Sequence, residues 1–237
     1  MAINSILNDL NEIEAAFAGS KKLGVSIAEG NPKAWDMWRA FNFIRGHQNK
    51  DAFILDVGTF SSRMLEFLYR AGYRNLYGCD ICGIEWRWVV LLYLRNTRLL
   101  DLLKWLFGKG PIRLKQEDLQ KTKYPSGQFD FITSISVIEH GVDIRLYLKE
   151  MSRLLKPGGY LITSCDYWPN RIDTSGSLPY GLIWDIQAQK DIEDLIRLAG
   201  EFNLFLVEPM DFSCAGPTIK WNGKEYTFAF FILKKQD

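Results

Sequence analysis

A short apolar run that contains one acid and ends at a glycine forms a pattern that could bind a charged small molecule. Phe53 to Val57 is apolar except for Asp56, and Gly58 ends the run before small hydroxyl residues. A helical pattern then begins at Met64, so the stretch is typical of a strand, a tight turn and an amphipathic helix. In an open parallel sheet, ligands bind at the carboxyl ends of the strands, where helix N-termini present free backbone N–H groups. Asp56 and Gly58 are therefore expected at a ligand crevice.

A second acid has a spacing that suits sugar hydroxyls. Asp80 lies 22 residues beyond Gly58 and ends a second apolar run, Asn75 to Cys79. An acid at the tip of the second strand can hydrogen-bond to ribose hydroxyls. The alternative is that Asp80 caps the following helix. Asp56 and Asp80 together favour a nucleoside ligand.

Two further residues could move a proton at the same rim. His140 follows a fourth predicted strand, 129–134, and its side chain titrates near neutral pH. Asp166 ends a fifth, 160–164. A hydroxyl that acts as a nucleophile needs a base near it, so His140 and Asp166 are the candidate catalytic residues. The alternative for His140 is a structural or helix-capping role.

Alternating strands and helices must position these residues. Short connections between them predict an α/β fold with a doubly wound parallel sheet. The predicted strands are 53–57, 75–79, 112–115, 129–134, 160–164, 205–209 and 226–234. Two amphipathic helices, at 3–18 and 31–46, precede the first strand. Residues 1–49 are therefore predicted to form an N-terminal helical cap on a domain of residues 50–237.

Residues 84–107 are unusually apolar and are predicted to form one long amphipathic helix. Their longest uncharged run, Trp88 to Leu94, has seven residues, which is far short of the ~20 that span a membrane. Three interpretations fit: a helix covering the sheet, a homodimer contact, and a peripheral membrane contact. Helices that cover a sheet are commoner than helices that lie in a membrane interface.

Composition restricts the classes of binding partner and the cellular compartment that fit this chain. The 237 residues are 47% hydrophobic, and the net charge of +1 gives no general attraction to nucleic acid. Cys79-x-x-Cys82 has the spacing of half a zinc pair, but no second pair or nearby histidine completes it, so no metal is expected. No secretion signal is visible, and the cysteine usage fits a reducing compartment. We therefore predict a cytoplasmic protein.

Six motifs occur in a fixed order along the chain. They are Ile54-Leu55-Asp56-Val57-Gly58, Asp80, Glu117-Asp118-Leu119, Phe129-Asp130-Phe131-Ile132, Val137-Ile138-Glu139-His140 and Leu154-Leu155-Lys156-Pro157-Gly158-Gly159. Together they resemble the class I S-adenosylmethionine-dependent methyltransferases, over roughly residues 50–165. The resemblance implies a Rossmann-like, seven-stranded sheet whose last strand is antiparallel. It also implies S-adenosyl-L-methionine as the cofactor.

The resemblance places the methionine part of the cofactor at two groups of residues. They are Asp56, Gly58, Thr59, Phe60 and Ser61 at the first turn, and Ser134, Ile135 and Ser136 beside the transferred methyl group. Members of the family usually carry Gly-x-Gly-x-Gly at this turn, whereas Phe60 and Ser62 occupy the second and third glycine positions here. A glycine there lets the backbone approach the cofactor without an intervening side chain. The Phe60 ring is therefore expected to pack beneath the loop or against the N-terminal helices.

The resemblance places the adenosine part at four residues. Asp80 would bind the ribose hydroxyls, and Ile81 would pack on the adenine. Asp118 would accept a hydrogen bond from the adenine amino group, and Leu119 would offer backbone contacts.

The acceptor is predicted to be a small molecule. No Asn/Asp-Pro-Pro-Tyr motif follows the fourth strand, so methylation of a nucleic-acid base has no support. A domain with a cap suits O-methylation of a sugar or metabolite, bound between the fourth and fifth strands and the loop 169–181.

Three alternatives to this function remain. A dinucleotide oxidoreductase would need the glycine-rich turn. A non-catalytic module that binds S-adenosylmethionine is the second, since a fold does not fix a function. A peripheral membrane methyltransferase of a lipid-linked acceptor, suggested by residues 84–107, is the third.

Overall fold

The computed structural model describes residues 2–28, 31–60, 62–82, 86–96 and 98–237, apart from the side chain of Trp88. The helices are α1 (Leu10–Lys22), α2 (Lys33–Gly46), α3 (Met64–Arg70), α4 (Trp86–Arg95), α5 (Leu99–Leu106), α6 (Ile144–Leu154) and α7 (Gln189–Gly200). The strands are β1 (Ser5–Ile6), β2 (Phe53–Val57), β3 (Asn75–Asp80), β4 (Ile112–Gln116), β5 (Phe129–Ile135), β6 (Leu155–Tyr167), β7 (Leu204–Leu206), β8 (Ile219–Trp221) and β9 (Lys224–Lys235). Pro179–Gly181 forms a short 3₁₀ turn.

The strands form one sheet in the order β1-β9-β6-β5-β2-β3-β4, and β7 and β8 also pair with β9. Strands β2 to β6 run parallel to one another, whereas β9 runs antiparallel to β6. The predicted Rossmann-like sheet with an antiparallel last strand is confirmed. Its seven predicted strands are β2 to β7 and β9. The two additional strands, β1 and β8, have two and three residues and are too short to leave a periodic pattern in the sequence.

Helices cover both faces of the sheet. Helices α1 to α4 contribute to one buried cluster, which includes Trp35, Phe67 and Phe230. Helices α6 and α7 contribute to the other, which includes Leu148 and Phe231. Neighbouring residues of β9 belong to different clusters because successive side chains of a strand point to opposite faces. The N-terminal helices share a core with the sheet, and the division of the chain at residue 49 stays a prediction.

The first helix begins later than predicted. Residues 3–18 were expected to be helical, but α1 starts at Leu10, where the Asp9 side chain accepts a hydrogen bond from the Asn11 N–H. Before it, Ser5 and Ile6 pair with β9. The Asn4 side chain holds this pairing, because its Nδ2 donates to the Glu208 carbonyl at 2.6 Å and its Oδ1 accepts from the Ile232 N–H at 2.8 Å.

The single helix predicted for residues 84–107 is wrong, because this stretch contains two helices. Helix α4 ends at Arg95 and α5 begins at Leu99. Asn96 lies between them, and its side chain donates to the Leu92 carbonyl at 2.7 Å, a local bond that competes with helix continuation. The start of the predicted segment, residues 84 and 85, lies outside the described residues. Within the described ranges, no helix combines the length and apolar character needed to cross a bilayer.

Candidate functional site

Two cavities open side by side at the carboxyl edge of the sheet. The smaller has a volume of about 260 Å³ and the larger about 560 Å³. Both are lined by Ser136, His140 and Tyr180. The arrangement suits two molecules that react with each other, one in each cavity.

The smaller cavity collects most of the residues predicted to bind the cofactor. Those that line it are Gly58, Phe60, Asp80, Ile81, Asp118, Leu119 and Ser136. Ile135 lines the larger cavity instead. Asp56, Thr59 and Ser134 are buried behind the strand tips and line neither. Ser61 lies outside the described residues.

The Asp80 carboxylate fixes the loop that follows β2. Its Oδ2 accepts a hydrogen bond from the Phe60 N–H and its Oδ1 from the Cys82 N–H, each at 2.9 Å. A carboxylate oxygen can accept more than one hydrogen bond, so both oxygens keep capacity for ligand hydroxyls. Gly58 has a φ of 71°, and a Cβ there would come within 2.4 Å of Val137 Cγ2. The retained glycine is thus required by backbone conformation and by packing.

The expectation that the Phe60 ring packs beneath the loop or against the N-terminal helices is wrong. The side chain is 46% exposed, and Phe60 lines the smaller cavity. The cause is the bond to Asp80, which fixes the direction of the Phe60 N–H and with it the course of the loop. The Phe60 side chain therefore lies in this cavity, at a position where the family resemblance implies a glycine.

Asp56 provides a buried acceptor behind the turn. Its Oδ1 accepts from Thr133 Oγ1 at 2.6 Å, and its Oδ2 has no partner within hydrogen-bond distance among the described residues. Burial raises the pKa of Asp56 to about 6. A buried oxygen without a partner is costly unless a donor reaches it, and since Asp56 lines neither cavity, a water molecule between it and the amino group of a methionine moiety is a suitable donor. Asp56 and the Asp80 carboxylate together fit a ligand of the S-adenosylmethionine class.

A lysine from α2 reaches the wall of the larger cavity. Lys33 Nζ donates to Ser136 Oγ and lies 3.7 Å from Asp166 Oδ1. It also lies 3.9 Å from the centroid of the Phe228 ring. Burial by itself would lower the pKa of Lys33, but the nearby carboxylates, led by Asp166, outweigh it and raise that pKa. Lys33 is therefore a fixed cation at the cavity wall and not a proton acceptor.

Three buried carboxyl groups surround this lysine. Asp36 Oδ2 accepts from Ser164 Oγ at 2.9 Å, and burial raises the pKa of Asp36 to about 6. Glu139 is fully buried, and burial followed by repulsion from Asp166 raises its pKa to about 8. Glu139 Oε2 has no hydrogen-bond partner among the described residues. At neutral pH Glu139 is therefore mainly protonated, while Asp166 pairs with Lys33.

The two candidate catalytic residues differ in their access to the cavities. His140 lines both, its Nδ1 has no partner among the described residues, and its ring meets the Tyr180 ring edge-on at 5.9 Å. Burial lowers the pKa of His140, so the imidazole is neutral at pH 7 and can accept a proton. Asp166 lines neither cavity, and its Oδ2 accepts from Trp184 Nε1 at 2.8 Å. Asp166 contacts the lining of the larger cavity through Lys33 and through its backbone N–H, which donates to Glu139 Oε1 at 3.3 Å.

Lys33, Asp36 and Glu139 were not among the predicted site residues. Lys33 and Asp36 lie in α2, and only tertiary packing brings them to the tips of β5 and β6. Glu139 interrupts an apolar stretch directly before His140, and that interruption was the one available sequence signal.

Comparisons with known proteins agree with this geometry. The profile of the methyltransferase domain family matches residues 28–204, which is most of the chain. No curated protein matches the chain. A 1,6-didemethyltoxoflavin-N1-methyltransferase from Burkholderia thailandensis, solved with 1,6-didemethyltoxoflavin and S-adenosylhomocysteine, is 17% identical with a TM-score of 0.59, over 98% of this chain and 92% of that one.

A second solved structure shares the fold. It is the geranyl diphosphate C-methyltransferase from Streptomyces coelicolor A3(2), in complex with Mg²⁺, geranyl diphosphate and S-adenosyl-L-homocysteine. It is 12% identical with a TM-score of 0.61, over 82% of this chain and 78% of that one. At such identities the likeness concerns the fold, whereas the family profile concerns the sequence itself. S-adenosylmethionine is thus the cofactor, and the chain belongs to the class I S-adenosylmethionine-dependent methyltransferases.

Proposed function

We propose that this methyltransferase methylates an oxygen atom of a sugar or other small metabolite bound in the larger cavity, with His140 as the base. S-adenosylmethionine supplies an electrophilic methyl group when it is bound. A hydroxyl acceptor becomes a good nucleophile only as it loses its proton. The observation that carries the proposal is the neutral imidazole of His140, which lies at the junction of the two cavities and whose Nδ1 has no hydrogen-bond partner among the described residues.

We assign the smaller cavity to the adenosine part of the cofactor. Asp80 is the acceptor for the ribose hydroxyls, while Ile81 and Leu119 provide apolar surface for the adenine. Asp118 accepts from the adenine amino group, although its Oδ1 already accepts from the Gln120 N–H at 2.9 Å. In this assignment the methyl group would lie near Ser136, which lines both cavities and is therefore within reach of the acceptor.

The lining of the larger cavity supports an acceptor with an apolar body and a polar end. The apolar wall comes from the β8–β9 hairpin and includes Trp221, Tyr226 and Phe228. The polar wall carries Lys33 and His140. A volume of about 560 Å³ falls within the range of small-molecule sites. The acceptors of the two related structures, a toxoflavin precursor and geranyl diphosphate, are small molecules as well.

The proposal is tested by a search for the acceptor. Pools of metabolites with free hydroxyl groups would be incubated with S-adenosylmethionine carrying an isotopically labelled methyl group. Mass spectrometry then locates the label on the product. We expect an O-methyl product with the wild-type protein and its loss in His140→Gln. His47→Gln is the matched control, because His47 is the chain's other histidine and lies exposed at the end of α2. A labelled nitrogen or carbon atom would contradict the assignment.

We also propose a cytoplasmic location and a surface that contacts a membrane or a second copy of the chain. All four cysteines are free thiols, which supports a reducing compartment.

Contact with a membrane or with a second copy of the chain through residues 84–107 is supported by exposed leucines on α4 and α5. Of the other large side chains in this segment, Leu92 is buried and Trp105 is half-buried, and the Trp88 side chain lies outside the described residues.

A further inference from the structure

Helix α5 turns its apolar side toward solvent. The exposed fractions are 62% for Leu99, 74% for Leu100, 51% for Leu103, 63% for Leu106 and 79% for Phe107. Leu99, Leu103 and Leu106 follow the spacing of one helical stripe, so the exposed side chains form a continuous face. An ordinary helix of a globular domain places such a stripe against the core.

The opposite side of α5 attaches it to the domain. Leu102 and Trp105 are half-buried against the main core, and Tyr69 donates from its hydroxyl to Asp101 at 2.8 Å. The orientation of the helix is therefore set by contacts that keep its leucines outside. On α4, which contacts α5, the side chains of Trp86, Leu91 and Leu94 are also exposed. Contiguous exposed apolar surface of this kind marks an interaction site.

The same segment carries a strong positive charge. Between residues 86 and 110 the sequence has five cations, Arg87, Arg95, Arg98, Lys104 and Lys109, and one acid, Asp101. All five cations are exposed, and none forms an ion pair with a described residue. The acid is engaged by Tyr69. Five cations less one acid leave a net charge of +4 around an apolar face.

This charge decides between the possible occupants. In a two-fold symmetric dimer the same surface would face its own copy, which would bring like charges together. Anionic lipid headgroups complement the cations, and the acyl boundary accepts the leucines. We propose that the α4–α5 surface, residues 86–96 and 98–109, docks in the interface of a membrane that contains anionic lipids, with α5 lying in the membrane plane. The inference concerns this surface alone, so its failure would leave the proposed methyl transfer untouched.

Vesicle co-sedimentation tests the proposal. The probes are vesicles of phosphatidylcholine alone and vesicles of phosphatidylcholine mixed with phosphatidylglycerol. The wild-type protein should bind the mixed vesicles at least about tenfold more strongly, and added salt should weaken the binding. Leu100→Asn with Phe107→Asn should abolish binding because the apolar anchor is lost. Lys104→Gln with Lys109→Gln should weaken binding to the mixed vesicles about thirtyfold.

A matched double variant controls for the loss of exposed leucine in general. Leu10→Asn with Leu146→Asn changes two exposed leucines on α1 and α6, outside the proposed surface, and should bind like the wild type. Circular dichroism and S-adenosylhomocysteine calorimetry would show that each variant is folded. The proposal is overturned if the wild type stays in the supernatant with the mixed vesicles at low salt. It is also overturned if ultracentrifugation shows a dimer that Leu100→Asn with Phe107→Asn dissociates.

Discussion

Asp80 Oδ2 accepts the Phe60 N–H at 2.9 Å, so the acid at the tip of β3 also shapes the loop after β2. One residue thus links the smaller cavity to the position where Phe60 stands in place of the glycine that the family resemblance implies. Both the affinity for the cofactor and the conformation of the loop should respond to a change at Asp80.

Asp80→Ala should weaken the binding of S-adenosylhomocysteine, measured by calorimetry. Each lost hydrogen bond to the charged group is worth roughly 1.5–3 kcal/mol, so we expect a loss of at least about tenfold. Asp80→Asn keeps a carboxamide oxygen as acceptor and should lose less. Asp211→Ala is the control, because this exposed acid likewise accepts a backbone N–H, that of Ser213. Unchanged affinity in a folded Asp80→Ala protein would remove the ribose assignment.

Phe60→Ala should affect binding more than stability. The ring is 46% exposed, so its removal should change the free energy of unfolding by about 1 kcal/mol or less. Cofactor affinity should fall several-fold, because the side chain contributes apolar surface to the smaller cavity. Denaturant titration and calorimetry measure the two effects. Tighter binding in the variant would show instead that Phe60 obstructs the cavity.

Loss of His140 should remove both turnover and one limb of the pH–rate profile. General base catalysis typically contributes about 10²- to 10⁴-fold, so His140→Gln should lower kcat by that factor while cofactor affinity holds. The base must be unprotonated, and burial lowers the pKa of His140 below its usual 6.5. Wild-type activity should therefore rise with pH through a limb below pH 6.5, and the variant should lack that limb. If His140→Gln retains turnover within a few-fold of the wild type on the true acceptor, His140 has a structural role and is not the base.

Glu139 should make the protein less stable as pH rises. The folded state holds the proton of Glu139 up to about pH 8, whereas the unfolded state releases it near 4.5. Between these values the folded state binds more protons, so the free energy of unfolding falls as pH increases, on the order of a few kcal/mol. Glu139→Gln has no proton to lose and should become progressively more stable than the wild type across this range. Denaturation at a series of pH values measures the difference.

Glu14→Gln serves as the control for the last experiment, since Glu14 is exposed on α1. It should follow the wild-type pH dependence. A constant difference between wild type and Glu139→Gln from pH 4.5 to pH 8 would mean that Glu139 is ionised in the folded protein.

The sheet could be predicted because its strands leave strong local signals. The central parallel strands β2 and β5 are almost fully buried apolar runs. Asp56, Asp80 and His140 stand at or just beyond the ends of β2, β3 and β5, where topology alone brings them to one edge. The position of the Phe60 ring could not be predicted, because it depends on a bond between the loop after β2 and the tip of β3, 20 residues further along the chain. Lys33 and Asp36 reach the site through the docking of α2, which no local pattern encodes. The exposure of the apolar side of α5 could not be predicted either. An amphipathic pattern does not indicate which side of a helix packs against the domain.

Strand β9 pairs with β1, β6, β7 and β8, so four strands depend on the last one to be synthesised. Ser5 and Ile6 emerge from the ribosome more than two hundred residues before their partners Phe230 and Ala229. At roughly 5–20 residues per second, β1 waits about 10–45 s for a strand to pair with. The edge of β6 that pairs with β9 is uncovered for a shorter time, about 3–13 s, because Ser164 precedes its partner Phe230 by 66 residues. The sheet is therefore completed only after β9 has been synthesised, and substitutions in β9 should reduce the yield of folded protein even where they spare the site.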